Sequence, residues 1–178
     1  MKSIEYLTAV ILAKRSLDLP LDQEAVLWAD LLLAQGIDAP EIKNLVCLDP
    51  ASSKAQIEKL VDDCLTKLHY SLVPEKAAHL LLVWAWTQRL IKADVDVESF
   101  LGNIQKLCVD FGHEPVYMQF YLLHCVKKDL SKGTIMFHDR EVNENNFEQV
   151  LRWEIDLFLD QNEPEILELL KANKFYDS

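Results

Sequence analysis

Residues 52–69 read SSKAQIEKLVDDCLTKLH, and this stretch decides the fold class. Ile57, Leu60, Val61, Cys64, Leu65 and Leu68 recur at spacings of three and four, while Lys54, Glu58, Asp62 and Lys67 fall on the opposite side. That spacing matches the helical period of about 3.6 residues, so the apolar set forms one stripe of a helix; a strand would alternate with a period of two. Ser52 or Ser53 stands where a side-chain oxygen can accept the first free backbone N–H groups. The segment is therefore expected to be an amphipathic helix that buries its stripe against other elements.

The same pattern extends both ways. Upstream, Ser3 can cap a helix to about Ser16, Asp18 or Asp22 can open a second that Gly36 ends, and Asp38, Pro40 and Glu41 open a short third that stops near Asp49 and Pro50. Downstream, Pro74 and Glu75 open a helix whose middle, Leu80 to Trp86, is apolar on every side, as in an element surrounded by others. Asp94 or Asp96 caps the next, ended by Gly112, and Pro115 opens another running to Lys127 and Lys128. Asn143 or Asn145 caps a helix to about Asp160, and Asn162 with Pro164 starts a last one to about Lys174. Only Ser131 to Asn143 lacks helical spacing; Gly133 to Phe137 could be extended, and the stretch is expected to form a structured loop.

The fold class is thus all-α, a globular bundle of about nine helices in one domain over residues 1–178, with a short stack of antiparallel helical pairs as the alternative. The absence of a self-similar repeat favours the bundle. A chain of 178 residues, half hydrophobic and a quarter charged, can bury a core without disulfide or metal staples.

Composition excludes several function classes. The four glycines stand singly, so no glycine-rich loop brings backbone amides to a phosphate. Cys47, Cys64, Cys108 and Cys125 lie in apolar helical patterns without the short spacing of a zinc or redox motif, and read as buried, reduced thiols. No Glu precedes a His by three residues, the spacing that bundle metal sites use, and His124 and Cys125, adjacent on a helix, diverge by about 100°. No metal and no cofactor are expected. His79 and Trp28, Trp84 and Trp86 read as core, and His69 carries no signal. Glu5, Lys14 and Arg15 interrupt the pattern of a signal peptide, and no apolar run approaches the roughly 20 residues that cross a bilayer, so the expected location is cytoplasmic, without membrane contact.

Charge is the informative feature. The chain carries a net −11, and residues 139–178 alone hold 11 Asp+Glu against 4 Lys+Arg. Such a field attracts basic proteins and repels nucleic acid. The expected partner-binding residues are Phe137 as an apolar anchor, Asp139, Glu141, Glu144 and Glu148, Trp153 as an interface aromatic, and Asp156, Asp160, Glu163 and Glu165. His138, Asp139, Arg140 and Glu141 also collect polar chemistry in the one non-helical stretch. Placed on a helical wheel, Glu154 falls between Val150 and Phe158 in the middle of the apolar face, so its carboxyl is expected to be buried and to need a partner, or to act as a tuned acid.

The chain is accordingly expected to bind and neutralise, or regulate, a basic protein partner and to catalyse nothing. Small, acidic, motif-free helical proteins of this kind resemble in general profile the immunity proteins that bacteria keep against their own secreted toxins; the resemblance is one of composition. It implies a nuclease-like toxin as partner, its lysines and arginines paired with the carboxylates. The alternatives are an enzyme using buried carboxylates such as Glu154, and a helical-repeat adaptor.

Overall fold

A computed structural model describes residues 3–21, 23–49 and 52–172. These residues hold eight α-helices and one β-hairpin, so the chain is all-α. Two compact units divide it: one comprises residues 1–85 and 165–178, the other Trp86–Pro164.

The first unit contains α1 (Ile4–Ser16), α2 (Gln23–Ala34), α3 (Pro40–Val46), α4 (Lys54–Lys67), the start of α5 (Glu75–Ile91) and the end of α8 (Phe147–Ala172). Helices α1 and α4 begin at a serine whose side chain satisfies free backbone donors. Ser3 accepts the Tyr6 N–H at 3.3 Å. Ser53 and Gln56 form a reciprocal capping box at the head of α4. Pro40 occupies the first turn of α3 after Ala39; Asp38, expected as the cap, instead pairs with Lys43 at 2.6 Å. Asp18 does not open α2 but sits in the turn after α1 with a φ of 53°, and Asp22 lies outside the described residues. Gly36 follows α2 at a φ of 83°, the left-handed conformation that suits glycine best.

Helix α1 packs on α2, α2 on α3 and α3 on α4. Leu7, Ile11, Leu12, Trp28, Leu32, Ile42 and Leu45 are fully buried among them. The Trp28 indole N–H donates to Thr8 Oγ1 at 3.0 Å, so the largest core side chain also satisfies its polar atom. On α4, Val61, Cys64 and Leu65 are buried and Ile57 and Leu60 half-buried, as the stripe requires. Arg15 fastens α1 to α4 with two hydrogen bonds to the Asp62 carboxylate, at 2.8 and 2.9 Å.

The second unit holds the last residues of α5, then α6 (Val97–Asp110), α7 (Pro115–Asp129), β1 (Ile135–Phe137), β2 (Arg140–Val142) and α8 as far as Pro164. Asp96 caps α6 by accepting the Ser99 N–H at 2.7 Å. Helices α6 and α7 pack together through Phe100 and Phe120, whose rings meet edge to face with centroids 5.3 Å apart; Phe158 of α8 lies 6.0 Å from Phe120.

Helix α8 corrects the sequence reading, which divided it at Asn162 and Pro164. It is one helix of 26 residues with Pro164 inside. Proline removes the N–H that the Asp160 carbonyl would receive, but the helix already has its stripe buried on both sides of the proline, through Ile155 and Phe158 before it and Ile166 and Leu170 after it. The Asn162 side chain donates to the Phe158 carbonyl at 2.8 Å in the turn just before. Burial of the stripe thus outweighs the local break. Pro164→Ala is expected to raise the unfolding free energy by at least about 1 kcal/mol, measured by denaturant titration. An unchanged or lower stability would mean that the surroundings require the proline.

Cys64 and Cys108 are buried, Cys125 half-buried and Cys47 exposed, so the expectation of four buried thiols holds for two. Cys47 directly follows the short helix α3, where its side chain is not part of a stripe. Among the described residues no helix is long and apolar enough to cross a membrane.

Candidate protein-binding face

The stretch expected as a loop folds into the hairpin β1–β2, paired Ile135 to Val142, Met136 to Glu141 and Phe137 to Arg140. Its two-residue turn, His138 and Asp139, adopts φ of 45° and 60°. Two successive left-handed residues match the twist of a tight hairpin, and glycine or asparagine would normally supply them. Here two other side chains do, at a cost of roughly 1 kcal/mol each. The tip is therefore held by its surroundings. Asn146 supplies part of that hold: its side chain donates to the Glu141 carbonyl at 2.9 Å and accepts the Asn143 N–H at 2.8 Å. Asn143 in turn accepts the Asn145 N–H at 3.0 Å in the turn before α8, which begins only at Phe147, so the asparagines tie β2 to that turn and the expected cap by Asn143 or Asn145 is not made on the helix itself.

This register sets Arg140 over Trp153 of α8, with the guanidinium 3.5 Å from the ring centroid. Trp153 remains 38 % exposed. Phe137, expected as an exposed anchor, is buried, with its ring 4.3 Å from that of His138. Alternation along β1 explains the difference: Met136 points outward at 62 % exposure and Phe137 inward.

Glu154 is buried at 2 % exposure, and its Oε1 has no hydrogen-bond partner. Burial pushes the carboxyl above the ordinary carboxylate range, against the opposing pull of His138 and Arg140. The folded state therefore retains this proton to higher pH than the unfolded chain does. Its contribution to stability is full below the ordinary carboxyl pKa and is lost as pH rises through the raised value. Glu154→Met is expected to stabilise the protein by about 1 kcal/mol near pH 8, with the gain shrinking towards about pH 4, as read from denaturant unfolding at both. A gain equal at the two pH values would exclude ionisation as the cause.

His124 of α7 shifts the other way. Burial, and then Lys128, hold its imidazole below the ordinary value, against a hydrogen bond that it donates to the Leu101 backbone carbonyl, and its Nε2 lacks a hydrogen-bond partner. Its buried position favours the neutral imidazole. Among the described residues no three His, Cys, Asp or Glu side chains stand together as metal ligands.

The remaining expected residues separate by unit. Asp139, Glu141, Glu144, Glu148, Asp156 and Asp160 belong to the second unit, are exposed, and form no ion pair among the described residues. Glu163, in the same unit, is half-buried and already has an interaction. Glu165 belongs to the first unit and is exposed. On α8, Glu148, Arg152, Asp156 and Asp160 follow one another at intervals of four and so share one face.

Beside that face lies a groove of about 410 Å³, formed by Leu90, Ile91, Val97, Leu151 and Ile155 and rimmed by Glu148, Arg152 and Asp156. Leu151 and Ile155 are buried at its floor, and Ile91, the last residue of α5, is 54 % exposed. The sequence reading did not find this groove. Its walls come from three separated segments, and only the exposure of Ile91 past the end of its helical stripe could have hinted at it.

No family model, curated protein or solved structure matches the chain.

Proposed function

We propose that the protein binds a basic protein partner through the acidic face of its second unit, and so blocks or regulates it. In its most concrete form it is a cytoplasmic immunity protein that occupies the basic active site of a nuclease-like toxin. The observation that supports this reading is the set of six exposed carboxylates, Asp139, Glu141, Glu144, Glu148, Asp156 and Asp160, none of them in an ion pair among the described residues. Exposed ion pairs contribute little to folding, so unpaired carboxylates at this density do nothing for the fold that a neutral polar surface would not do. Their field would speed encounter with a cationic surface, and the half-exposed Trp153, held in place by Arg140, offers a rigid aromatic anchor beside them.

The test is functional rescue. The partner captured with the tagged protein is expressed alone and together with it. Growth arrest by the partner alone, relieved by co-expression, is the expected result; a partner that is harmless alone would reduce the reading to an adaptor.

Glu154 favours a second reading, an acid catalyst, because its carboxyl is buried with an unpartnered oxygen. It lines neither the groove beside α8 nor the one between α7 and β1, so no substrate-sized space adjoins it there. Binding is therefore the better supported function.

A further inference from the structure

The face of α8 is not uniformly acidic, and its pattern specifies more than a basic partner. Glu148 and Asp156 are eight residues apart on the helix, which separates them by about 12 Å along its axis. Arg152 stands midway, one turn from each, exposed and without an ion pair among the described residues. The order along the face is thus negative, positive, negative. A lysine opposite the centre would meet the Arg152 guanidinium, whereas lysines opposite the two ends would each meet a carboxylate. Alongside the centre runs the apolar groove, floored by the buried Leu151 and Ile155 and bounded by the exposed Ile91.

We propose that this groove seats one large apolar side chain of the basic partner, presented on a helix between two cations about two turns apart that reach Glu148 and Asp156. The inference rests on the acidic-face reading and adds the occupant's pattern: cation at i, apolar residue at i+4, cation at i+8. Matching that pattern places both partner cations against carboxylates, keeps a third cation away from Arg152, and sets the apolar side chain against the groove. The cationic centre rejects an all-lysine helix face and thereby gives selectivity that net charge alone would not.

The experiment uses the full chain and two labelled alanine-based helical peptides, one with Lys, Leu and Lys at i, i+4 and i+8, the other with Lys at all three positions. Binding is read by fluorescence anisotropy at low salt. The Lys-Leu-Lys peptide is expected to bind the wild type about tenfold more tightly than the all-lysine peptide. Ile91→Asp, at an exposed position, should abolish that preference, because a carboxylate on the groove wall disfavours the leucine and attracts the central lysine. Arg152→Ala should strengthen all-lysine binding and narrow the gap. Equal binding of the two peptides to the wild type, or a preference that survives Ile91→Asp, overturns the groove proposal while leaving the acidic face standing. If neither peptide binds, or if Glu148→Gln with Asp156→Asn changes neither affinity, the acidic-face reading itself fails. Sedimentation of the wild type and Ile91→Asp is run in parallel. Self-association that Ile91→Asp removes would make the groove an interface between copies and overturn the proposal.

Discussion

Trp28→Ala is expected to cost about 3–5 kcal/mol of stability, the largest effect of any single core truncation in the first unit. The indole is fully buried, its ring lies 6.4 Å from that of Tyr70, and its N–H satisfies the buried Thr8 hydroxyl on α1. Truncation leaves a cavity that the surrounding helices fill only in part, and it removes the Thr8 donor as well. Whole domains are stable by only about 5–15 kcal/mol, so a loss of this size brings the variant close to unfolding at physiological temperature. Trp28→Phe keeps much of the volume and loses the hydrogen bond, and should cost about 1–2 kcal/mol. Denaturant unfolding of both variants checks the pair. A cost below about 1 kcal/mol for Trp28→Ala would show that the first unit does not depend on the α1–α2 contact in the manner described.

The second large effect concerns encounter with the proposed partner. Neutralising Glu148, Asp156 and Asp160 together, as Glu148→Gln, Asp156→Asn and Asp160→Asn, should slow association with the proposed basic partner by about 10- to 100-fold at low ionic strength. The dissociation rate should change much less for Asp160→Asn alone, because that residue lies outside the groove rim. Raised salt should erase most of the difference between wild type and triple variant, since the Debye length falls to about 8 Å at physiological ionic strength. All three positions are exposed and unpaired among the described residues, so the fold should tolerate the changes within about 0.5 kcal/mol. Stopped-flow association across a salt series reads this directly. Rates that do not depend on these residues would place the contact elsewhere on the molecule.

The elements most legible in the sequence were those whose ends and faces are set locally. Ser3, Ser53 and Asp96 cap the helices they were expected to cap, and the stripe of α4 buries as its spacing requires. Glu154 was legible for the same reason, because a helical wheel alone places it among Val150 and Phe158. What escaped depended on tertiary context. The break expected at Pro164 does not occur, since burial of the stripe on both sides carries α8 through it. The hairpin has no glycine at its tip, and Asn146, in the turn just before α8, helps to hold its base. The stack of Arg140 on Trp153 and the groove at Ile91 depend on which segments meet, and no spacing within a single segment encodes that. Charge placement was visible from the start. Which of those carboxylates are unpaired was not.

Whether the chain binds a basic protein through the acidic face of its second unit, as proposed, is read from capture of the tagged protein's partners from its own cells at low and at raised salt. One basic protein recovered in stoichiometric amount at low salt and lost as salt rises is the expected result. Recovery of no partner at either salt, or of one whose retention is indifferent to salt, would contradict it.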